Sequence, residues 1–352
     1  MKLRLYILRT VLLRVLAAGA VLLAILQILD LLDVTTDILE RGLGVAGVVY
    51  HATLRLPRLV EQVAPLSVLA GGLFAFAQLA REQAVTAMRA AGVSSYRLLE
   101  MSVPAALVIV MLHFTAAELI APRTDAALET WWKASEPGVP ADPSPRAFRS
   151  GAEIVVARPG DGAGERLNDV RIYRRDAQGR VSERIEAASA TYADGVWRLH
   201  EPRMMRFTPD QALASSAAEL GWRTRLQPAD VRSLLSPAQA PSAASARRAL
   251  EGGGSERPDS YYAVRVQRAF AGPIGVLVML LLAAPVALGN FRTREGAVLT
   301  VAALAAGLSF LVADGLLTAL GESAALSPLL AAWTAPAVFA ALAGTALLRM
   351  EG

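Results

Sequence analysis

Six long apolar stretches interrupt this chain of 352 residues. A helix needs about 20 predominantly apolar residues to cross the roughly 30 Å hydrocarbon core of a bilayer, and each stretch meets that length. Hydrophobic residues make up 54% of the chain, more than a water-soluble domain usually carries. The sequence therefore predicts an integral membrane protein with six transmembrane helices, which lie approximately at Tyr6–Leu32, Leu56–Ala80, Tyr96–Ile120, Val264–Leu288, Ala297–Leu320 and Pro328–Leu348.

Basic residues near the ends of these stretches predict the orientation, because Lys and Arg in short loops stay in the cytoplasm. Lys2 and Arg4 place the N-terminus there, and six spans return the C-terminus, with Arg349, to the same side. The first apolar run is too long for a secretory signal peptide, and no small-residue cleavage pattern follows it, so we interpret it as a retained helix. The expected loop between the first two spans has mixed charges: Asp33, Asp37, Glu40, Arg41, Arg55 and Arg58.

A large soluble insertion lies between the third and fourth spans. Short β-prone runs alternate there with Gly- and Asp-bearing breaks, and Asp194-Gly195 is the strongest hairpin signal in the chain. The predicted strands are Ile154–Ala157, Val170–Tyr173, Ser182–Tyr192, Val196–Leu199, Arg203–Phe207 and Trp222–Leu226. We therefore expect an α-helical membrane protein with an inserted all-β, jellyroll-like periplasmic domain.

The domain boundaries follow from these changes of composition. Residues 1–122 are predicted to hold transmembrane helices one to three, residues 123–235 the β domain, and residues 263–352 helices four to six. The segment 236–262 is rich in Pro, Ala, Ser and Gly and is predicted to be a linker with a helical return.

Most catalytic arrangements are absent from the sequence. It has no G-x-x-x-x-G-K-[ST] phosphate loop, no H-E-x-x-H zinc helix and no G-x-S-x-G elbow. His51, His113 and His200 are far apart, and the lack of cysteine excludes disulfides, thiolate metal sites and a cysteine nucleophile. The net charge of +4 comes from scattered arginines rather than from one basic face, which disfavours nucleic-acid binding. We therefore predict no catalytic residues, no metal site and no nucleic-acid partner.

Ionisable side chains inside the apolar stretches are conspicuous because a charge within a membrane is costly unless it is paired or hydrated. Asp314 lies well inside the fifth span and should face a cavity or a partner helix; a hydrogen-bonded packing role is an equal alternative. Asp30 and Asp33, with Arg41 beyond them, could line a polar mouth or simply lie in water at the interface.

Between the second and third spans, the segment 81–92 contains strong helix formers and ends in Gly92, a residue suited to a helix C-cap. A short cytoplasmic helix of this kind could contact a motor protein. Alternatively, it could merely continue the second span and turn the chain.

Several segments together resemble the LptF/LptG family of lipopolysaccharide-export permeases. They occur in the family's order along nearly the whole chain, and the end of the first span favours the LptG side. They are Leu56-Pro57 with Glu61-Gln62, Pro65, Leu69-Ala70-Gly71, Met88-Arg89-Ala90-Ala91-Gly92, Asp194-Gly195-Val196-Trp197, Arg268-Ala269-Phe270-Ala271-Gly272-Pro273 and Leu326-Ser327-Pro328.

This resemblance implies the permease subunit of an ABC transporter that extracts lipopolysaccharide from the bacterial inner membrane and passes it to a periplasmic β-jellyroll bridge protein. It implies a heterodimer with a second related permease on a cytoplasmic ATPase dimer, with ATP and Mg²⁺ used by that ATPase and no cofactor bound by this chain. Spans one and five would form the lateral gate. The implied ATPase-coupling residues are Arg81, Glu82, Ala84, Met88, Arg89 and Gly92, and the lipid-cavity or gate candidates are Gln27, Asp30, Asp33, Arg41 and Asp314.

Two features depart from the family pattern. Ala84 stands where the coupling helix commonly has Glu, and Gln27, Asp30 and Asp33 stand where the LptG branch tends to carry basic residues. An alternative function is a membrane-anchored scaffold or sensor that presents the periplasmic β domain. An intramembrane enzyme would need paired catalytic groups, and the sequence identifies no partner for Asp314.

Overall fold

The computed structural model describes residues 2–81, 95–135, 144–176, 178–208, 211–235, 240–288 and 294–351. The chain forms two compact units. The first comprises Met1–Asp125 with Gln267–Gly352, and we call it the membrane unit. The second comprises Ala126–Val266, and we call it the β unit.

Helices occupy most of the chain before the β unit. Helix α1 (Lys2–Glu40) and helix α2 (Gly44–Arg81) form an antiparallel hairpin. Helix α3 (Ser95–Phe114) continues through a π-helical turn, Thr115–Ile120, into helix α4 (Ala121–Ala134). These last three segments together form the third candidate membrane span.

The loop predicted between the first two spans is much shorter than expected. Asp33, Asp37 and Arg55 all lie within helices, because α1 continues to Glu40 and α2 begins already at Gly44. Gly42 ends α1 at a positive φ of 75°, where its N–H bonds the Leu39 carbonyl and the next N–H bonds Ile38. This glycine-centred cap satisfies the last carbonyls of α1 and lets α2 begin two residues later.

The β unit contains one antiparallel sheet of eight strands. Its order is β1-β2-β3-β4-β5-β8, with β6 joined to β4 and β7 joined to β6. The strands are β1 Arg146–Ser150, β2 Glu153–Pro159, β3 Arg166–Arg175, β4 Val181–Ala193, β5 Val196–His200, β6 Arg203–Phe207, β7 Ala212–Ser216 and β8 Glu219–Trp222. The predicted insertion of a β domain between membrane helices is confirmed.

The predicted hairpin at Asp194-Gly195 is confirmed. Ala193 pairs with Val196 across it, and Asp194 and Gly195 have φ values of 53° and 80°. Both residues therefore occupy the left-handed conformations that a tight two-residue turn requires. The sequence reading missed β1 and β7, and the predicted strand Trp222–Leu226 is wrong beyond Trp222, where β8 ends.

Two short helices complete the β unit: α5 (Pro228–Leu235) and α6 (Ala243–Leu250). The inner face of the sheet buries two tryptophans, Trp197 and Trp222. Val231 and Leu234 of α5 belong to the same apolar core, and Trp197 Nε1 donates to the Leu226 carbonyl at 2.9 Å. Helix α5 thus fills the interior of the sheet.

Helix α7 (Asp259–Ala283) begins in the β unit and continues into the membrane unit from Gln267. A 3₁₀ turn (Ala284–Leu288), helix α8 (Arg294–Glu322) and helix α9 (Pro328–Glu351) complete the membrane unit. With α1, α2 and the third span, the described residues contain six helices long and apolar enough to cross a membrane. The prediction of six transmembrane helices is confirmed.

Helix α2 lies at the centre of the membrane unit. A Cβ added at Gly71 would come within 2.3 Å of the Val15 Cα atom, so α1 and α2 touch through their backbones at this point. On another side, Leu69 packs against Gly307 of α8. Small residues allow such close helix contacts in membranes, where the hydrophobic effect does not hold helices together.

Candidate functional site

Three clusters of charged residues lie towards the same end of the membrane unit. We call this the turn end, because it is where α1 ends at Glu40 and α2 begins at Gly44. Leu280 of α7 lies beside Gly72 of α2 and lines one pocket with Phe76 and Val103, whereas Gly272, earlier on α7, lies beside His113, nearer to Asp125 on the third span. Helix α7 therefore runs in the same direction as α2. Polar groups at such depth must be paired, hydrated or functional.

The first cluster joins α1 to α2. Arg55 Nε donates to Asp30 Oδ1 at 2.9 Å, and His51 Nδ1 lies 3.9 Å from Asp30 Oδ2. The side-chain amide of Gln27, one turn before Asp30, is buried without a hydrogen-bond partner among the described residues.

The second cluster joins α2 to α4. Arg58 donates through Nε and Nη2 to Asp125 Oδ2, at 3.0 and 2.5 Å, and through Nη1 to Glu61. The side chains of Arg58 and Asp125 are only 5% and 3% exposed. Their burial makes this the most enclosed ion pair that the structure describes in the membrane unit.

The third cluster joins α7 to α8. Arg268 donates to Asp314 Oδ2 at 2.9 Å and to the Thr318 hydroxyl at 2.5 Å. Asp314 therefore faces a partner helix, one of the two placements that the sequence allowed. Arg268 belongs to the segment Arg268-Ala269-Phe270, part of the family resemblance in the sequence, but only the folded structure shows that it pairs with Asp314.

The predicted lipid-cavity residues do not come together in one place. Gln27 and Asp30 share the first cluster, whereas Asp314 belongs to the third. Asp33 is exposed on α1, and Arg41 lies in the short turn between α1 and α2. Sequence reasoning did not assign His51, Arg58, Asp125 or Arg268 to a site. The signal that could have found them is a charged or titratable residue within or beside an apolar run of helical length.

The predicted ATPase-coupling segment begins where α2 ends. Arg81 is the last residue of α2 and is exposed. Glu82, Ala84, Met88, Arg89 and Gly92 lie outside the described residues.

Two helices of the membrane unit leave their apolar surfaces largely uncovered by the chain itself. Only 6% of the most apolar stretch of α1 and 17% of that of α8 are buried, against 72% for α7. Their exposed side chains are Leu13, Leu16, Val21, Ile25, Ile28 and Leu32 on α1, and Val298, Val301, Leu304, Leu308, Val312 and Leu316 on α8. These surfaces must meet lipid or another membrane protein.

Metal chemistry has no candidate centre in the part of the chain that the structure describes. No three His, Cys, Asp or Glu side chains gather closely enough there to hold an ion. The charged clusters instead pair arginines with carboxylates, an arrangement that binds helices together and adds polarity at one depth.

The comparison with known proteins gives one family. A family model described as "Lipopolysaccharide export system permease LptF/LptG" matches residues 5–349, nearly the whole chain. No curated protein sequence matches the chain.

Proposed function

The chain belongs to the LptF/LptG family of lipopolysaccharide-export permeases, and we propose that it moves lipopolysaccharide out of the inner membrane while a partner ATPase supplies the energy. Membership makes the chain a multi-pass inner-membrane transport subunit rather than an enzyme. The observation that carries the finer proposal is the family match over both the six membrane helices and the inserted β unit.

The bare apolar surfaces of α1 and α8 support a lateral gate. Lipopolysaccharide is a large amphiphile with several acyl chains, so its site should be a wide apolar cavity between two permeases. The two least buried membrane helices would line that cavity and contact the second, related permease. A helix hydrophobic all round is expected where lipid and partner helices replace water.

The proposed ATPase contact begins at Arg81, where α2 ends, and so lies at the other end of this helix from the turn that joins it to α1. Its residues would be Arg81, Glu82, Ala84, Met88, Arg89 and Gly92, on the cytoplasmic side with both chain termini. ATP and Mg²⁺ would bind the ATPase dimer, with no cofactor in this chain. Coupling requires that the ATPase favour one of two permease conformations, because a ligand shifts an equilibrium only through its differential affinity.

The β unit would face the periplasm and pass the lipid to a bridge protein of similar β-fold. Among the described strands, β7 pairs only with β6, so its other edge is available there for strand addition. The interior of the sheet, however, is filled by α5 and the two buried tryptophans. Acyl chains could therefore enter the interior of the sheet only after α5 moves away.

Site-specific photo-crosslinking tests the gate. A crosslinking amino acid at Ile25 of α1 or Val312 of α8 should capture lipopolysaccharide and the second permease in inner membranes. Met111 of α3, which is equally apolar and 65% exposed, provides the matched control. Capture of lipopolysaccharide at Ile25 and Val312 above the Met111 level supports the gate; equal capture at all three positions contradicts it.

Reconstitution separates transport from the scaffold alternative. The chain, purified with its ATPase and second permease, should transfer lipopolysaccharide to a soluble acceptor only when ATP is hydrolysed. A scaffold would bind a partner through the β unit yet release no lipid. The variant Arg89→Glu should weaken ATPase docking while leaving membrane insertion intact, since a surface charge mainly orients a partner.

A further inference from the structure

The ion cluster of Arg58, Glu61 and Asp125 connects two helices at points where each can bend. Arg58 is almost fully buried and gives hydrogen bonds to both carboxylates. A buried guanidinium fixed by two acids holds its neighbours in one geometry, because removing either partner leaves an uncompensated charge.

Prolines weaken α2 on both sides of Arg58. Pro57 and Pro65 lie inside this helix, and each lacks the N–H that would bond the carbonyl four residues earlier. For Pro65 that carbonyl belongs to Glu61 itself. Sharp bends in helices occur at such positions. The segment 57–65 is therefore the part of α2 whose direction depends most on its outside contacts.

The third span has a corresponding weak point just before Asp125. The π-helical turn Thr115–Ile120 interrupts the α-helical hydrogen-bond pattern between α3 and α4. Such turns are rare and occur frequently at functional sites. The direction of α4 is thus not imposed by α3 alone, and its bond to Arg58 supplies the missing constraint.

The two bonded helices lead to different parts of the chain. Helix α2 ends at Arg81, about 35 Å from Arg58 at 1.5 Å per residue, where the predicted ATPase-coupling segment begins. Helix α4 continues into the β unit, since Asp125 is the last residue of the membrane unit and Ala126 the first of the β unit.

We propose that Arg58 is a positioning residue that transmits bending of α2 to α4, and so links events at the ATPase end of α2 to the helix that enters the β unit. This inference rests on the proposed transport function. When the segment 57–65 changes direction, the buried bonds to Asp125 oblige α4 to follow it. Without them, the ATPase can still cycle, but α4 no longer moves with α2.

The test uses the complete transport complex in lipid nanodiscs. Asp125→Asn preserves shape but removes the charge that holds Arg58, and Arg58→Asp combined with Asp125→Arg restores an ion pair in reverse. Lys133→Ala is the matched control, because Lys133 and Glu129 form an exposed pair 3.0 Å apart on the same helix. The readouts are ATP hydrolysis and lipopolysaccharide transferred per ATP.

We expect Asp125→Asn to lower the lipid transferred per ATP at least about fivefold, the lower range of measured coupling effects, with ATP hydrolysis nearly unchanged. The double variant should recover much of that ratio, and Lys133→Ala should match the wild type. Unchanged transfer per ATP in Asp125→Asn overturns the proposal. So does a parallel loss of both activities that the charge reversal does not restore, because that indicates a purely structural role.

A distance measurement distinguishes failure of this link from failure of the transport function. The chain has no cysteine, so spin labels can be placed at Val49 on α2 and Ala127 on α4 without removing native residues. The label-to-label distance distribution should broaden in Asp125→Asn and narrow again in the double variant. If the wild-type complex transfers no lipopolysaccharide, the transport function fails while this measurement still tests the link; an unchanged distribution refutes the link alone.

Discussion

The membrane unit and the β unit place their charged and apolar groups in opposite ways. In the membrane unit, Arg58 and Asp125 are buried together while whole apolar faces of α1 and α8 are exposed. In the β unit, Trp197 and Trp222 are buried, and ion pairs such as Arg198 with Asp194 lie on the surface.

This difference follows from the two solvents. In water, the burial of apolar side chains is favourable, so the β unit is stabilised by its apolar core. In a lipid bilayer this driving force is absent, and helices associate through close packing and interhelical hydrogen bonds. The same type of contact should therefore contribute differently to the stability of the two units, and each prediction below tests that expectation with a single substitution.

The largest effect is expected from the core of the β unit. Trp197→Ala removes a side chain that is 1% exposed, together with its hydrogen bond to the Leu226 carbonyl. We expect a loss of about 3–5 kcal/mol in the free energy of unfolding, as for other buried tryptophans. Denaturant unfolding of the full chain in detergent, followed by circular dichroism of the sheet, measures it.

The neighbouring Val196 provides the control for that experiment. It is 42% exposed on the same strand, so Val196→Ala should cost well under about 1 kcal/mol, as is usual for surface substitutions. Equal losses in the two variants would show that the β unit is not held by its buried face.

The next effect concerns the membrane unit. Arg58→Ala leaves the carboxylates of Asp125 and Glu61 without their buried cation, which costs about 3 kcal/mol or more in comparable sites. Thermal unfolding in detergent should show the loss. Arg123→Ala is the control, since Arg123 is exposed and its hydrogen bond runs to Leu119 of the same chain segment. Similar stabilities of the two variants would remove the contrast between buried and exposed charges.

The sequence could predict the parts of the fold that depend on local pattern. Six apolar runs predicted the six spans, and Asp194-Gly195 predicted its hairpin, because a two-residue turn requires residues that adopt positive φ. Strand β7 could not be found this way, since Ala212–Ser216 is exposed throughout and has no apolar alternation. The ends of α1 and α2 were misplaced because both helices extend beyond their apolar runs, where Asp30 of α1 pairs with Arg55 of α2.

The candidate site depended even more on tertiary contacts. Asp314 could be recognised as costly within an apolar helix, but its partner Arg268 is distant in sequence. Arg58 and Asp125 each stand at the edge of an apolar stretch, where a charge ordinarily meets water. Only the packing of α2 against α4 shows that the two side chains are enclosed and bonded.

A smaller effect should follow from adding a methyl group where the backbones of α1 and α2 touch. Gly71→Ala places a methyl carbon 2.3 Å from the Val15 Cα atom, so the helices must separate. Overpacking of this kind typically costs about 1–3 kcal/mol. Gly315→Ala, on α8 with no atom within 4 Å of the added group, is the control and should be neutral or slightly stabilising in the same thermal assay.

The smallest effect is expected at a partly exposed charge in the β unit. The backbone N–H of Arg180 lowers the pKa of Asp176 below its ordinary value of 3.8, and the Arg180 side chain and the Gln178 N–H act in the same direction. A carboxylate with a lowered folded pKa contributes stability above its unfolded pKa and loses it as pH falls through the folded value. Asp176→Asn should therefore lower the unfolding temperature slightly at neutral pH, and the difference from wild type should vanish in acid. Glu165→Gln, an exposed acid in another hairpin, is the control. A difference in unfolding temperature that persists in acid would mean that the turn depends on the shape of the Asp176 side chain rather than on its charge. Surface charges in the β unit would then contribute even less to its stability than the comparison with Arg58 assumes.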